Sequence, residues 1–336
     1  MIGEPLVSVV VPVHNAEKYL TRALPQLAEL AKSTDLEVIV IDDNSSDRSA
    51  EIVRSWIADT GIRADLYHAT FRGVANARNE AIGFCNGRYV WFADIDDSWD
   101  ADVLIALSGV AEAEHADIVV CNAVKVTDDG IETGIICDAP HRATCTGEQA
   151  FSKLLNGCLQ GHLWNKLFRR ELLGEDPFPP LRAHSDLGGL LHLMRGNQRI
   201  AFLPRILYTY RQNPGSILNS GSYPFDGLVT CLEIAESRST LPGSNARSLM
   251  SFRYRVVAVP LLNELARRRS KLSEGERAAV VRMLRQTIRW RDARYVLSSG
   301  RDIRNYLQAL VGKLSPSIYF GLYSFARHGR LTLADS

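Results

Sequence analysis

Arg88-Tyr89-Val90-Trp91-Phe92-Ala93-Asp94-Ile95-Asp96-Asp97 is the stretch on which the fold turns. Its β-branched and aromatic first half reads as a buried strand, bounded by the Asn86-Gly87 turn on one side and by carboxylates on the other. In an open α/β sheet, ligands gather outside the carboxyl ends of strands, which is where Asp94, Asp96 and Asp97 fall. Period-two geometry sends Asp94 and Asp96 to the same side of the chain, so both can approach one ion or one ligand. Hard carboxylate oxygens suit Mg²⁺ or Mn²⁺, and Mg²⁺ is usually held by one or two carboxylates plus substrate phosphates. A metal-bridged diphosphate is one reading of the cluster. An acidic turn with solvated side chains is the other.

Upstream, Val7–Val13 is a second buried strand, followed by His14-Asn15 and a helical pattern from Ala16 to about Ala31. Leu36–Ile41 is a third strand, running into Asp42-Asp43-Asn44-Ser45-Ser46-Asp47, where Ser46 or Asp47 is placed to cap a helix from Arg48 to Trp56. A weaker strand at Ala64–His68 leads through Ala69-Thr70-Phe71-Arg72-Gly73 to a helix from Val74 to Phe84. The order β-α-β-α-β-α-β with near-continuous apolar strands predicts an α/β fold with a parallel sheet covered on both faces. Neither G-x-G-x-x-G nor a P-loop follows the first strand, which removes the usual support for dinucleotide and ATP binding.

Four ordered motifs carry a resemblance: Val9-Val10-Val11-Pro12-Val13-His14-Asn15, Val40-Ile41-Asp42-Asp43-Asn44-Ser45-Ser46-Asp47, Gly73-Val74-Ala75-Asn76-Ala77-Arg78-Asn79 and Asp94-Ile95-Asp96-Asp97. Together they resemble the inverting glycosyltransferases of family 2, with the GT-A fold, over most of residues 5 to 100. Leu163–Leu172 and Leu207–Ile217 resemble segments of bacterial polysaccharide members. The resemblance implies a Rossmann-like GT-A fold for a nucleotide-diphosphate sugar, by default a UDP-sugar, with Mn²⁺ or Mg²⁺ as cofactor. Asp42 would accept a hydrogen bond from the base edge, and its alternative is a helix cap. Pro12, Val13 and Asn15 would wall the base and ribose. Arg78 would serve the nucleotide site, or pair on a helix surface. Asp94 would contact the ribose or metal-bound water, and Asp96 would ligate the ion. Asp97 would help either, or cap the helix beginning near Asp100.

The same resemblance places a general base after the Trp-Asn-Lys block, where the sequence reads Ala183-His184-Ser185-Asp186-Leu187-Gly188-Gly189. Asp186 is the candidate, His184 is its rival, and Ser185 stands where the family often has Glu. Ser185 could instead be the helix N-cap, with Asp186 a first-turn residue complementing the dipole. Trp164, Asn165, Lys166, His184 and Arg211 are expected at the acceptor, a glycan or a lipid-linked molecule. Loss of the base would leave a nucleotide-sugar or glycan-binding protein of the same fold. A nucleotidyltransferase would want a basic, Gly-rich loop where His14-Asn15-Ala16-Glu17 stands.

With 336 residues, 46% hydrophobic, the chain can bury a core. It is expected to form a catalytic domain at 1–220, with a nucleotide-sugar half at 1–100 and an acceptor half at 101–220, then a basic helical region at 221–336. A helix is expected near 101–114, a strand at Asp117–Val126, a hairpin turn at Asp128-Asp129-Gly130 and a late strand at Ile200–Tyr210. Helical periods follow at 225–240, 246–270, 274–297 and 302–328, broken at Pro242-Gly243, Gly275, Ser298-Ser299-Gly300 and Pro316. Six cysteines without C-x-x-C spacing suit reduced thiols in a cytoplasmic protein. No apolar run is long enough to span a bilayer. Residues 251–330 hold 17 Arg and Lys against 5 Asp and Glu, a net of +12 in a chain of net +1. That asymmetry suits an anionic partner, here a membrane surface at the inner face, with a solvated helical cap or a homo-oligomer interface as the alternative. Nucleic acid lacks any accompanying binding motif.

Overall fold

A computed structural model of the chain describes residues 4–212, 224–238, 246–294, 296 and 302–331. The expected segment Asn213–Ile217 and the breaks at Pro242-Gly243 and Ser298–Gly300 lie outside the described residues. The chain divides into two units, Met1–Phe151 with Gln160–Ser220, and Ser152–Leu159 with Gly221–Ser336. Residues 152–159 therefore belong with the second unit, although the sequence reading assigned them to the first.

In the first unit, strands β1 (Val7–Val13), β2 (Leu36–Asp43), β3 (Ala64–Ala69) and β4 (Tyr89–Phe92) alternate with helices α1 (Glu17–Leu30), α2 (Ser49–Thr60) and α3 (Val74–Ile82). Further along come β5 (Ser98–Trp99), α4 (Val103–Glu114), β6 (Ile118–Val126), β7 (Glu132–Ile136), β8 (Ala143–Thr146), α5 (Gly147–Leu155), whose last four residues fall in the second unit, β9 (Lys166–Arg169), α6 (Arg170–Leu173), α7 (Ser185–Leu193) and β10 (Arg199–Arg211). One sheet runs β3-β2-β1-β4-β9-β6-β10-β5, with β7 beside β6 and β8 beside β10. The expected parallel pairing holds among β3, β2, β1 and β4. Beyond β4 the sheet is mixed, because β9 enters antiparallel between β4 and β6.

The valine run explains the centre of the sheet. Val7, Val9, Val11 and Val13 join one apolar cluster with Leu20, Ala23 and Leu27 of α1, while Val10 is equally buried outside that cluster. Both faces are thus covered, as a parallel strand requires. Buried Glu37 accepts from Ser8 Oγ at 2.6 Å and from the amides of Asn86 at 2.6 Å and Gly87 at 3.2 Å. It stitches β1 and β2 to the turn that launches β4. A Cβ at Gly87 would stand 2.5 Å from the Ser8 amide nitrogen, so only glycine lets this turn lie so close. The helix cap expected before α2 is placed differently. Asp47 accepts from Ser49 and also from the Glu17 amide, joining the starts of α1 and α2.

The second unit is helical. Asp226–Arg238 is followed by Ala246–Ser251, which passes through a π-helical stretch at Phe252–Ala258 into Val259–Arg268. Glu274–Thr287 carries the Ser273/Glu276 capping box, and Gly275 lies in its first turn without breaking it. Ile303–Leu314 and Pro316–Leu331 form the last helices, with the turn at Ser315-Pro316 as expected. Buried Arg253 is held by Glu236 at 2.6 Å and Asp292 at 3.4 Å. No disulfide forms among the described residues.

One contact governs where the carboxylate segment after β4 sits. Asp97, 1% exposed, accepts from the Tyr208 hydroxyl at 2.9 Å and the Arg211 amide at 2.7 Å, both on β10. Burial, aided by Asp94 and Asp96, raises its carboxyl well above the usual carboxylate range. Because the folded-state affinity for a proton is raised, this group favours folding in acid and withdraws that contribution as pH climbs above the ordinary carboxylate value of about 4. Asp97→Asn is expected to keep the Arg211 amide contact and to flatten the fall in melting temperature as pH rises above about 4. Asp97→Ala is expected to lose roughly 1–3 kcal/mol in acid and less as pH rises, since the Tyr208 hydroxyl and the Arg211 amide lose their carboxylate acceptor. Identical thermal profiles for wild type and both variants would remove Asp97 from this role.

Candidate active site

The strand order reverses between β1 and β4, and a doubly wound sheet binds ligands outside the strand ends at such a switch point. Lateral pairing sets Val13 opposite Asp42 and Asp42 opposite His68, so these three residues stand abreast at the carboxyl edge of β1, β2 and β3. Val13 is buried in the core. Pro12 is partly exposed beside it. Asn15 takes a left-handed φ of 49° and accepts at Oδ1 from the Ser46 amide (2.8 Å) and hydroxyl (3.1 Å). His14 Nδ1 lies 2.7 Å from the Asp43 carbonyl oxygen. The loops after β1 and β2 are thereby stapled into one wall.

The two aspartates ending β2 divide their work. Asp43 accepts from the amides of Phe71 (2.6 Å), Arg72 (3.0 Å) and Gly73 (2.7 Å), holding the loop that precedes α3. Asp42 is fully buried, accepting from Ser45 at Oδ1 and bonded through Oδ2 to His68 Nδ1. The expected direct contact of Asp42 with a base edge meets a covered carboxylate. The side chain exposed at that place is His68, at 43%. The sequence reading passed over His68, although its place at the end of β3, in parallel register with Asp42, was the available signal.

At the centre lies Arg78, on the buried face of α3. Its Nη2 donates to Asp94 Oδ1 at 2.7 Å and its Nη1 to Asp186 Oδ1 at 2.5 Å. The guanidinium is 5% exposed, and the two carboxylates are 28% and 24% exposed. Burial opposes the charge on Arg78, but Asp186 and Asp94 outweigh it and hold the group protonated. Asp94 is pushed up by burial, with Arg78 pulling against that rise and Asp186 adding to it. Asp94 and Asp186 are thus brought to one cation from distant parts of the chain. The expectation that Arg78 faces the nucleotide is modified: two of its nitrogens are committed to carboxylates.

The start of α7 explains how Asp186 is aimed. His184 adopts a left-handed φ of 67° and turns the chain into the helix, so Ser185 is its first residue and not the cap. Ser185 is 3% exposed and donates to Asp186 Oδ1 at 3.3 Å. A Cβ at Gly189 would stand 2.3 Å from the Phe178 ring, so the glycine lets α7 settle onto Phe178. Phe178 is clamped in turn by reciprocal hydrogen bonds with Asn79, the neighbour of Arg78. Burial lowers the His184 imidazole to about 4, well below the ordinary imidazole value.

Three acceptor expectations are corrected. Asn165 and Lys166 are each 0% exposed. Asn165 donates to Cys121 O and Asp138 Oδ2, both at 2.9 Å. Lys166 Nζ uses all three donors on Gln160 O (3.1 Å), His162 O (2.7 Å) and Asn165 Oδ1 (2.8 Å). Trp164, 2% exposed, is stacked on Tyr208 at 4.4 Å and His162 at 4.7 Å. All three build the frame under the site and are unavailable to a ligand. Arg211 remains partly exposed, with its amide on Asp97 and Nε 3.4 Å from Ser98 Oγ.

Among the described residues, no three acidic, histidine or cysteine side chains converge as a ready metal cage. Asp97 is committed to β10, which leaves half-exposed Asp96 and Asp94 as the donor pair. A pair of hard oxygens fits a Mg²⁺ or Mn²⁺ ion that takes its remaining ligands from phosphates and water.

Residues 8–175 match the family model described as glycosyl transferase family 2. The uncharacterized glycosyltransferase EpsJ of Bacillus subtilis is 28% identical over 223 residues, a match covering 63% of this chain and 63% of that relative's length. Among solved structures, S. aureus TarS 1–349 in complex with UDP-GlcNAc gives a TM-score of 0.69 at 22% identity, covering 91% of this chain and 90% of that one. A mannosyltransferase from Pyrobaculum calidifontis, in complex with GDP-Man and Mn²⁺, gives 0.55 at 20% identity, covering 96% and 87%. At these identities the structural likenesses establish the fold, a GT-A glycosyltransferase fold with a helical C-terminal region. The family match takes in half of the sequence, and the chain belongs to glycosyl transferase family 2.

Proposed function

We propose that this protein is an inverting glycosyltransferase that moves a sugar from a nucleotide-diphosphate donor, by default a UDP-sugar, to a hydroxyl of a glycan or lipid-linked acceptor in surface polysaccharide synthesis. The observation that carries this reading is the Asp94–Arg78–Asp186 bridge, which joins the carboxylate segment at the switch point to the first turn of α7. Support for the donor comes from the UDP-GlcNAc complex of TarS.

In this reading the wall of Pro12, Val13 and Asn15 takes the nucleoside, with His68 and the carboxylate behind it at the base edge. Asp96 and Asp94 would hold Mn²⁺ or Mg²⁺, which when bound neutralises charge developing on the departing diphosphate. Asp186 accepts the proton of the attacking hydroxyl as it bonds to the anomeric carbon. Arg78 fixes the direction of that carboxylate by the hydrogen bond from its Nη1. Burial lowers the proton affinity of His184, which removes the advantage an ordinary imidazole would hold over a carboxylate as the base. The basic C-terminal region would bring the site to an acceptor at the inner face of the membrane. The nucleotide-sugar half at 1–100 and the acceptor half at 101–220 keep their assignments here.

Asp186→Asn is expected to preserve donor affinity while transfer falls by roughly 10²–10⁴-fold, the range for loss of a positioned general base. Transfer near the wild-type rate, measured by release of nucleoside diphosphate in the presence of acceptor, would clear Asp186. Arg78→Lys keeps one positive charge but cannot span both carboxylates in a fork. It is expected to lower the rate at saturating donor by about tenfold or more, leaving Kd for UDP within a few-fold, as a positioning residue would. A variant that loses UDP affinity in proportion to rate would instead place Arg78 on the diphosphate.

The metal part has its own test, by titration calorimetry of UDP. Asp96→Ala is expected to abolish the gain in affinity that Mn²⁺ confers and to leave the protein folded. Equal affinity of the wild type in EDTA and in Mn²⁺ would exclude a metal at this site.

A further inference from the structure

The second unit ends in two helices whose outward faces are apolar. On Ile303–Leu314, Leu307, Val311 and Leu314 recur at i, i+4 and i+7, with Leu307 and Leu314 at 53% and 67% exposure. On Pro316–Leu331, Ile318, Leu322 and Phe325 repeat that spacing at 60%, 57% and 81%. The stripes meet: Leu307 and Val311 from one helix, and Leu322 and Ala326 from the other, line a single cleft of about 710 Å³ with Arg304 on its wall. Tyr319 closes the inner side, its hydroxyl donating to Asn263 at 2.8 Å. A second exposed aromatic, Trp290, lies by the far end of the first stripe, 5.7 Å from Lys313 Nζ.

Charge decides what covers this face. From Ile303 to Leu331 the sequence contains no Asp or Glu and four basic residues, Arg304, Lys313, Arg327 and Arg330. A second copy of the chain laid on the same face by two-fold symmetry would bring two basic hairpins together with no carboxylate from either to offset them. An anionic bilayer supplies both halves of the complement: phosphate headgroups for the basic side chains and acyl chains for the stripes. Among the described residues no helix is long and apolar enough to cross a membrane, so the element lies in the interface and does not span.

We propose that the hairpin Ile303–Leu331 is the part of this protein that docks on an anionic lipid bilayer, its two apolar stripes entering the interface and the cleft between them receiving an acyl chain. This deepens the membrane element of the reading above and is independent of donor chemistry.

The test is flotation of the full chain with vesicles of phosphatidylglycerol in phosphatidylcholine, with UDP binding measured on the same preparations. Wild type is expected to float at low salt, to be released as salt is raised, and to ignore pure phosphatidylcholine. The double variant Leu322→Ser, Phe325→Ser changes only exposed side chains. It is expected to bind roughly tenfold or more weakly, with UDP affinity and circular dichroism unchanged. Arg304→Glu is expected to weaken binding in the same direction. Three results would overturn the proposal: no flotation at low salt, flotation of the double variant equal to wild type, or a lipid-free dimer that the double variant dissolves. Loss of UDP binding with flotation intact would instead count against the enzymatic reading.

Discussion

A guanidinium buried to 5% exposure is costly unless its charge is met, and Arg78 is met twice. That requirement constrains much of the first unit. α3 must present Arg78 inward, which fixes the loop before it. The segment after β4 must bring Asp94 up to one nitrogen, and α7 must bring Asp186 to the other. Removing any one member would strand charge in a low-dielectric place, so the three elements are locked to one another by the cost of separating them. The bridge still carries net negative charge, and Asp96 adds to it. A diphosphate could approach such a surface only with a compensating cation, which is the physical reason to expect a divalent metal in the proposed reaction.

The paired aspartates show a division of labour that holds the bridge in place. In each pair the second member is a structural acceptor: Asp43 gathers three amides of the loop entering α3, and Asp97 gathers a hydroxyl and an amide of β10. Arg22 adds a hydrogen bond at 2.5 Å to the Asp96 carbonyl from α1. The segment from Asp94 to Asp97 is thus held by both α1 and β10. Preorganisation of this kind gives a side chain on a strand-end loop a defined direction without a ligand present.

The fold of the first hundred residues was legible because it depends on local rules. Continuous apolar strands, polar strand ends and helical periods each follow from nearest neighbours in sequence, and β1 to β4 came out in the expected order. β9 was not legible. Lys166-Leu167-Phe168-Arg169 is four residues long and opens on a lysine that Gln160, His162, Asn165 and the Asp138 carboxylate make tolerable in the core. A motif such as Trp164-Asn165-Lys166 looks functional in a sequence because polar and aromatic residues stand together. In the folded chain they stand together to satisfy one another. The partner of Asp42 was hidden for a related reason: His68 lies far along the chain and becomes its neighbour only through strand register.

The same distinction bears on whether position 185 decides between an enzyme and a binding protein. Ser185 departs from the family pattern, and a lost carboxylate there was the ground for a non-catalytic alternative. Yet residue 185 is the first of α7 and is 3% exposed, packed away from solvent, while Asp186, the next residue, is 24% exposed and paired with Arg78. A Glu at 185 would have to bury its charge or displace the helix start. Ser185 instead donates to Asp186 Oδ1, the same oxygen that Arg78 engages. Two donors on one oxygen direct the other oxygen of the carboxylate away from them. The serine is then part of how the candidate base is aimed, and its presence argues for the catalytic reading over the binding one.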